Sequence, residues 1–148
     1  MKHYISMIIF CCSICYSYAA FSQDDAEDVI KYRQNMMKTI SMHYKSLKLL
    51  SAGRITQPDQ WLPQAQGLNN MAKMITTAFP EESDFGETDA KGSIWENKPD
   101  FNEKADALVK FSGKLVSLIE QGEQKQVPEL MQEISQSCKN CHKNYREK

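Results

Sequence analysis

The sequence predicts an all-α fold, an antiparallel four-helix bundle. Apolar residues recur at three- and four-residue steps in four separate stretches, whereas the alternating Val, Ile and Thr pattern of β-strands is hard to find. The chain has 148 residues, 41% of them hydrophobic and 25% charged, which fits one ordered domain. Its formal net charge of −1 argues against nucleic-acid binding, which normally needs a basic face.

The N-terminus has the three parts of a secretory signal peptide. A short positive start at 1–3 is followed by an apolar run at 4–18 and by small residues within 19–22. The run is shorter than the about 20 apolar residues that a membrane span needs. We therefore expect cleavage after Ser22, or two or three residues earlier, which leaves a single domain at 23–148 without a membrane anchor. An uncleaved N-terminal anchor is the alternative.

Apolar periodicity predicts the first two helices. The first runs from about Asp25 to Ser51, and Gly53 provides a stop just beyond it. The second runs from about Asp59 to Phe79 and ends at Pro80. The apolar face of the first helix consists of Val29, Ile30, Met36, Met37, Ile40, Tyr44, Leu47 and Leu50. The apolar face of the second consists of Trp61, Leu62, Ala65, Leu68, Met71, Ile75 and Ala78.

A long loop separates these helices from two more. The loop spans 81–99, and its length indicates that it packs on the rest of the domain. The third helix starts near Asp100, with Glu103 in capping-box spacing, and ends at Gly122. The fourth starts around 127–128, because proline is tolerated in a first turn. The apolar face of the third helix consists of Phe101, Ala105, Leu108, Phe111, Leu115, Leu118 and Ile119. The apolar face of the fourth consists of Leu130, Met131, Ile134, Cys138, Cys141 and Tyr145.

The chemistry of the chain concentrates in residues 138–142, Cys-Lys-Asn-Cys-His, because the other three cysteines lie in the predicted signal peptide. A C-x-x-C-H run is typical of covalent haem c attachment. Cys138 and Cys141 share one side of a helical turn, so both thiols can form thioethers with one porphyrin. A neutral imidazole of His142 would then ligate the iron. The sequence therefore predicts one covalently attached haem c between the helices of the bundle.

Three other uses of the two cysteines compete with haem attachment. A thioredoxin-like motif needs a βαβ neighbourhood, and no strand pattern is present. A zinc site needs four ligands, whereas the other histidine of the mature chain, His43, is about a hundred residues away. A structural disulfide between neighbouring turns would close a very small loop and contribute little by loop entropy. The predicted export and the helical context favour haem.

Four segments in order along the chain carry a family resemblance. They are 29–34 (Val-Ile-Lys-Tyr-Arg-Gln), 79–88 with Phe-Pro-Glu and Gly-Glu-Thr, 94–101 with Ile-Trp-Glu-Asn and Asp-Phe, and 138–146. Together they resemble the class II c-type cytochromes of the cytochrome c′ family. The resemblance implies a four-helix bundle with haem near its C-terminus, held on the proximal face by His142 and covered on the distal face by the first helix.

The resemblance also implies which side chains surround the haem. Arg33 would meet a haem propionate with Gln34 beside it, and Met37 would line the distal face. Arg146 would lie close to the haem and the proximal imidazole, and Trp95 would pack against the haem edge or the end of the bundle. Structural alternatives stay open: Arg33 can extend its charged end to solvent, Arg146 can favour the helix C-terminus, and Trp95 can be a core aromatic.

Two functions are compatible with the resemblance, and they differ at Met37. In cytochromes c′ the iron is five-coordinate and high-spin, and its vacant distal site binds NO or CO while discouraging O2. In other members of the class a methionine here is the sixth ligand of a low-spin electron carrier of the c556 type. A thioether can ligate haem iron but also fills cores. The Arg33-Gln34 and Ile94-Trp95 pattern favours the five-coordinate group, and Met36 is expected to pack in the core.

The remaining expectations concern turnover, location and partners. Enzymatic turnover is not predicted, because no distal His and Arg pair suited to peroxide cleavage is found. Haem attachment after export implies a bacterial periplasmic location. The resemblance implies a homodimer through the first two helices, with Tyr44, Leu47 and Trp61 as candidate contacts, and a redox partner protein if the chain carries electrons. His43 is expected at the surface or at an interface, and Tyr145 as a packed aromatic.

Overall fold

The computed structural model describes residues 26–81 and 83–147, so the predicted signal peptide, 1–22, lies outside the described residues. The described residues form five α-helices, which are α1 (Ala26–Ser51), α2 (Trp61–Ala72), α3 (Ser93–Glu96), α4 (Lys98–Glu120) and α5 (Val127–Tyr145). Within those ranges β-structure is limited to one isolated antiparallel bridge between Ala90 and Arg146. The predicted all-α fold is confirmed.

The four main helices enclose one hydrophobic core, and α3 is a single turn that leads into α4. Helix α2 packs against α1 and α4, α4 packs against α5, and α5 returns to α1. The connections from α1 to α2 and from α4 to α5 are short, which makes the two helices of each pair antiparallel neighbours. The most deeply buried members of the core are Leu47, Leu68, Ile94, Phe101, Leu115, Val127 and Ile134. The four-helix bundle is therefore present as predicted.

The second helix is shorter than its apolar pattern indicates. The α-helix ends at Ala72, and a 3₁₀ turn follows at Thr76–Ala78. Met74 N–H donates to the Met71 carbonyl at 3.1 Å, a three-residue step that tightens the end of the helix. Ala78 and Phe79 nevertheless remain buried in the core. The apolar pattern continues past the α-helix because the tighter turn keeps these side chains inward.

The third predicted helix begins earlier than expected. Helix α4 starts at Lys98 with Asn97 as its N-cap and Pro99 in its first turn, so Asp100 does not cap it as predicted. Proline fits a first turn because its missing N–H has no helical partner there.

The predicted stops at Gly53 and Gly122 are confirmed, because both have positive φ, 65° and 74°, which glycine adopts without a Cβ penalty.

None of the helices in the described ranges combines the length and the apolar character that crossing a bilayer requires.

Candidate functional site

Cys138, Cys141 and His142 lie on the last two turns of α5. Both thiols are free, and both are half-buried against the hydrophobic core. His142, by contrast, is exposed. Residues three apart share one side of a helix. The fold therefore presents two unpaired sulfurs at the boundary of the core, with an imidazole directly beside them.

The surroundings set the protonation of these groups. Burial raises the pKa of both thiols, and that of Cys141 reaches about 11 because the neighbouring Cys138 adds to the effect. Both cysteines are therefore protonated at neutral pH. Partial desolvation lowers the pKa of His142, and the charge of Arg146 lowers it further. The imidazole is neutral at pH 7, which is the form that ligates metals.

The alternatives to haem attachment do not match the described surroundings of the motif. The two cysteines are not joined in a disulfide. Across 26–81 and 83–147, no three His, Cys, Asp or Glu side chains form a group that could hold a metal ion. Helices rather than a βαβ unit flank the pair. Attachment of haem at Cys138 and Cys141 stays a prediction at this point.

Arg33 is buried, with only 2% of its surface exposed. Its Nη1 donates to Ser83 Oγ at 2.9 Å and its Nη2 to Thr88 Oγ1 at 2.8 Å. The guanidinium lies over two rings, 5.1 Å from the Phe79 centroid and 5.6 Å from the Trp95 centroid. Burial lowers the pKa of Arg33, but a guanidinium stays charged in proteins. The alternative in which Arg33 reaches solvent is wrong, because hydroxyl and aromatic partners hold the cation inside.

Gln34 and Trp95 each donate a hydrogen bond to a carbonyl of the loop that also binds Arg33. Gln34 Nε2 donates to the Glu87 carbonyl at 2.8 Å. Trp95 Nε1 donates to the Pro80 carbonyl at 2.8 Å, and its ring meets the Phe79 ring edge-on at 6.1 Å. The structure thus brings Arg33, Gln34 and Trp95 together around one loop, whose described residues, 80–81 and 83–92, we call the site loop.

Met36 and Met37 have different surroundings on α1. Met36 is buried in the core, as predicted, and Met37 is half-buried at its boundary. Met37 shares one side of α1 with Arg33, four residues earlier. The structure therefore places Met37 on the side of α1 that carries Arg33, at the boundary of the core.

Arg146 is the residue at which α5 ends. Its backbone is extended, and its N–H donates to the His142 carbonyl at 3.0 Å. Its Nη2 lies 3.5 Å from Asp89 Oδ2 in an exposed ion pair with the site loop. Its charge nevertheless lowers the pKa of His142. Arg146 therefore lies both near the imidazole and at the helix C-terminus, the two placements considered from the sequence.

The site loop and the start of α3 cap the end of α5, which was not predicted from the sequence. Lys91 N–H donates to the Tyr145 carbonyl at 3.1 Å, and Ser93 Oγ donates to the Asn144 carbonyl at 3.1 Å. Carbonyl groups of a last helical turn have no partner within the helix. Because the loop also accepts the hydrogen bonds of Arg33, it links the predicted distal side chains to the helix that carries the cysteines.

Tyr145, predicted as a packed aromatic, is buried with its ring edge-on to Phe101 at 5.4 Å. It also donates a hydrogen bond from its hydroxyl to Asp100 Oδ2, which the sequence did not predict. Lys104 Nζ pairs with Asp100 Oδ1 at 3.2 Å. The hydrogen bonds from Tyr145 and then Lys104 lower the pKa of Asp100, whereas burial and this carboxylate raise that of Tyr145 to about 12. The pair joins the end of α5 to the start of α4.

Comparison with known proteins gives consistent matches over most of the chain. Residues 28–146 match the family model described as Cytochrome C'. Cytochrome c' of Rhodospirillum rubrum is 23% identical over 123 residues, which cover 82% of this chain and 84% of that protein. Cytochrome c-556 of Agrobacterium tumefaciens is 30% identical over 118 residues, which cover 79% of this chain and 95% of that protein.

Solved structures match the fold. Cytochrome c' from Rubrivivax gelatinosus has a TM-score of 0.78 at 25% identity, over 84% of this chain and 98% of that one. A nitric oxide complex of a variant of cytochrome c prime from Alcaligenes xylosoxidans has a TM-score of 0.77 at 25% identity, with the same coverage. Proteins of the cytochrome c' family bind covalently attached haem c. Two free thiols on one turn and an adjacent neutral imidazole fit that cofactor.

Proposed function

Because the chain belongs to the cytochrome c′ family, we propose that Cys138 and Cys141 hold haem c through thioether bonds and that His142 ligates its iron. The observation that carries the proposal is the placement of two free thiols and an imidazole together at the end of α5. Protonated thiols suit thioether formation, because each S–H supplies both the sulfur and the hydrogen that add to a vinyl group.

The activity that we propose is reversible binding of NO or CO. When held by Cys138, Cys141 and His142, haem c would supply a five-coordinate, high-spin iron that can take a small ligand. The nitric oxide complex of a relative supports this activity. In this proposal Met37 packs at the distal boundary of the site without ligating the iron, in keeping with its half-buried position against the core.

The other predicted side chains would hold and orient the cofactor. Arg33 uses two of its five N–H donors on Ser83 and Thr88, so donors remain for a carboxylate of the haem. Trp95 closes one side of the buried guanidinium, and Gln34 fixes the site loop. Burial and then the charge of Arg146 lower the pKa of His142, which favours the neutral imidazole that can act as a ligand.

A second function, one-electron transfer with Met37 as sixth ligand, has its own support. The relative that is 30% identical to this chain is a cytochrome c-556. Met37 lies on the side of α1 that carries Arg33, at the boundary of the core, where a thioether is available to a cofactor. Methionine is a competent axial ligand that raises the reduction potential.

Absorption spectra of the haem-loaded protein separate the two functions. The protein is measured oxidised and dithionite-reduced, with and without NO or CO. We expect a broad high-spin spectrum that shifts on addition of either gas. A split low-spin spectrum that is indifferent to gas would instead assign Met37 as a ligand and the protein as an electron carrier.

Met37→Leu tests the same point by substitution. Leucine keeps the approximate volume, so the core is preserved. Under the gas-binding proposal the spin state is unchanged, whereas under the electron-transfer function the low-spin spectrum is lost. Met36→Leu is the matched control, because Met36 is the adjacent methionine and lies fully in the core. It should leave the spin state unchanged under both functions.

Attachment is tested with Cys138→Ala and Cys141→Ala together. Haem should then be extracted by acidified organic solvent, whereas it stays with the unaltered chain. Haem that resists extraction from the double variant would overturn attachment at these positions. His43→Ala controls for general damage, because His43 lies between α1 and α2 and is bonded to Gln64.

We also propose export to the bacterial periplasm with removal of residues 1–22. The apolar run at 4–18 after a positive start supports a cleaved signal. N-terminal sequencing of the protein from a periplasmic extract should begin at Gln23, or two or three residues earlier. Recovery of the full-length chain in the membrane fraction would contradict removal of the segment.

A homodimer through α1 is proposed with a changed set of contacts. The prediction that Leu47 is a dimer contact is wrong, because this side chain is fully buried in the core. Tyr44 and Trp61 are half-buried against the core. Met42 and Leu49, seven residues apart on α1, are 62% and 41% exposed. Sedimentation should show a dimer that Met42→Glu with Leu49→Glu converts to a monomer, and an unchanged dimer would exclude this surface.

A further inference from the structure

Asp100 and Lys104 form an ion pair on the part of α4 that faces the end of α5. Lys104 Nζ lies 3.2 Å from Asp100 Oδ1, and both side chains are partly buried. Cys141 is half-buried, and Tyr145, four residues later on the same side of α5, contacts Asp100 directly. One negative and one positive charge therefore lie beside the turn that carries Cys141.

Tyr145 holds Asp100 in this position. Its hydroxyl donates to Asp100 Oδ2, its ring packs against Phe101, and its carbonyl accepts the N–H of Lys91. A buried aromatic fixed at three points has little freedom to move. The carboxylate that it binds is therefore fixed relative to α5.

We propose that Asp100 and Lys104 tune the reduction potential of the haem in opposite directions, and that Tyr145 is the positioning residue that fixes Asp100. The inference rests on the proposed haem attachment at Cys141. A nearby negative charge disfavours the addition of an electron and so lowers the potential, whereas a nearby positive charge raises it. Partial burial weakens the screening of both charges by salt.

Helix α5 carries Cys141 one turn before Tyr145, whose hydroxyl contacts Asp100. A group attached through the Cys141 sulfur therefore lies on the side of α5 that faces Asp100 and its partner Lys104.

The test is a redox titration of the haem-loaded protein at neutral pH, followed by absorption. We expect Asp100→Asn to raise the midpoint potential, Lys104→Gln to lower it, and the double variant to lie between the two. A purely structural role of the pair would move the potential in the same direction for both variants. Shifts of the same sign, or no shift, would overturn the proposal.

Matched controls come from the exposed side of the same helix. Asp106→Asn and Lys110→Gln make the same charge changes on exposed residues of α4. Their shifts should be smaller than those of Asp100→Asn and Lys104→Gln. Control shifts of equal size would mean that net charge, rather than this pair, sets the potential.

The role of Tyr145 is tested by coupling. In a Tyr145→Phe background, which keeps the ring and removes the hydroxyl, the shift caused by Asp100→Asn should be smaller than in the unaltered protein. An equal shift in both backgrounds would show that Tyr145 does not position the carboxylate.

Haem staining of the unaltered chain after denaturing electrophoresis precedes the titrations. A chain without covalent haem would refute the proposed function itself. A chain with covalent haem whose potential ignores the two charges would refute only this inference.

Discussion

Arg33 on α1 donates from Nη1 to Ser83 Oγ at 2.9 Å, and Ser83 Oγ in turn donates to the Pro80 carbonyl at 2.8 Å. The hydroxyl is therefore both acceptor and donor, and it ties a buried cation to the site loop. The stability of the loop and the burial of the charge depend on each other. The loop in turn caps α5, so this one hydrogen bond links the two sides of the site.

Ser83→Ala should destabilise the protein by about 2 kcal/mol. The substitution leaves a buried guanidinium N–H without its acceptor, and hydrogen bonds to charged groups contribute about 1.5 to 3 kcal/mol. Thr88→Val should act in the same direction, because Thr88 Oγ1 accepts from Arg33 Nη2. Urea unfolding followed by circular dichroism measures both losses.

Exposed residues provide the controls for these two variants. Ser117 and Thr39 make only local bonds, to the carbonyls four residues earlier. Ser117→Ala and Thr39→Val should change the free energy of unfolding by less than about 0.5 kcal/mol. If Ser83→Ala costs no more than Ser117→Ala, the hydrogen bond to Arg33 contributes nothing to stability.

Periodicity predicted the bundle because each main helix buries one apolar face. It could not predict the end of α2, since Ile75 and Ala78 stay buried through a tighter turn and prolong the helical pattern. The start of α4 was missed for a different reason. The spacing of Asp100 and Glu103 suits a cap, but the carboxylate of Asp100 instead binds Tyr145 and Lys104.

The site residues that were predicted from the sequence depend on local spacing, whereas those that were missed depend on contacts between distant segments. Cys138, Cys141 and His142 were identified because their chemistry depends on spacing within one turn. The partners of Arg33, Ser83 and Thr88, are 50 and 55 residues away along the chain. Short polar residues in a loop have no periodic signal. Only the path of the loop over α1 brings their hydroxyls to the guanidinium.

Gly67→Ala should destabilise the contact between α1 and α2. His43, which was expected at the surface or an interface, lies between these helices with Nδ1 2.8 Å from Gln64 Oε1. A Cβ at Gly67 would lie 2.4 Å from His43 Cε1, so the ring must move and lose this bond. Overpacking costs about 1 to 3 kcal/mol, which exceeds the gain of about 1 kcal/mol from the helix propensity of alanine. Thermal unfolding measures the net loss.

Two further variants test the cause of that loss. Gly113→Ala is the matched control, because its Cβ would meet Asn69 Nδ2 at an ordinary 3.6 Å. It should be neutral or stabilising. Adding His43→Ala to Gly67→Ala should recover part of the loss, since the smaller side chain leaves room for the new methyl group. A double variant that is no better than Gly67→Ala would exclude the clash as the cause.

The Tyr145 and Asp100 pair should make stability depend on pH at both extremes. The folded pKa of Tyr145, about 12, lies above its ordinary value of 10.0, so this stabilisation is complete below pH 10 and is lost as pH rises towards 12. The pKa of Asp100 is lowered, so its contribution is present above its ordinary value of 3.8 and is lost as pH falls below it. Melting temperatures measured against pH test both statements.

Tyr145→Phe should melt lower than the unaltered protein between about pH 5 and pH 9, and the difference should shrink above pH 10 and below pH 4. Tyr32→Phe is the control on an exposed tyrosine and should follow the unaltered protein throughout. A constant difference between the Tyr145→Phe variant and the unaltered protein at all pH values would mean that packing alone, without the hydrogen bond, accounts for the loss.

The thiol of Cys141 should alkylate slowly in the haem-free chain, because only the thiolate reacts and burial raises its pKa from 9.0 to about 11. Two pH units correspond to about a hundredfold less thiolate at pH 8. Cys138→Ser produced without residues 1–22 isolates this thiol, and the same chain in urea gives the reference rate for iodoacetamide. The rate in the folded chain should keep rising with pH above 9.0, because burial, the larger cause of the raised pKa, remains when Cys138 is replaced. Equal rates in buffer and in urea would contradict the burial of this thiol, since unfolding would then leave its surroundings unchanged.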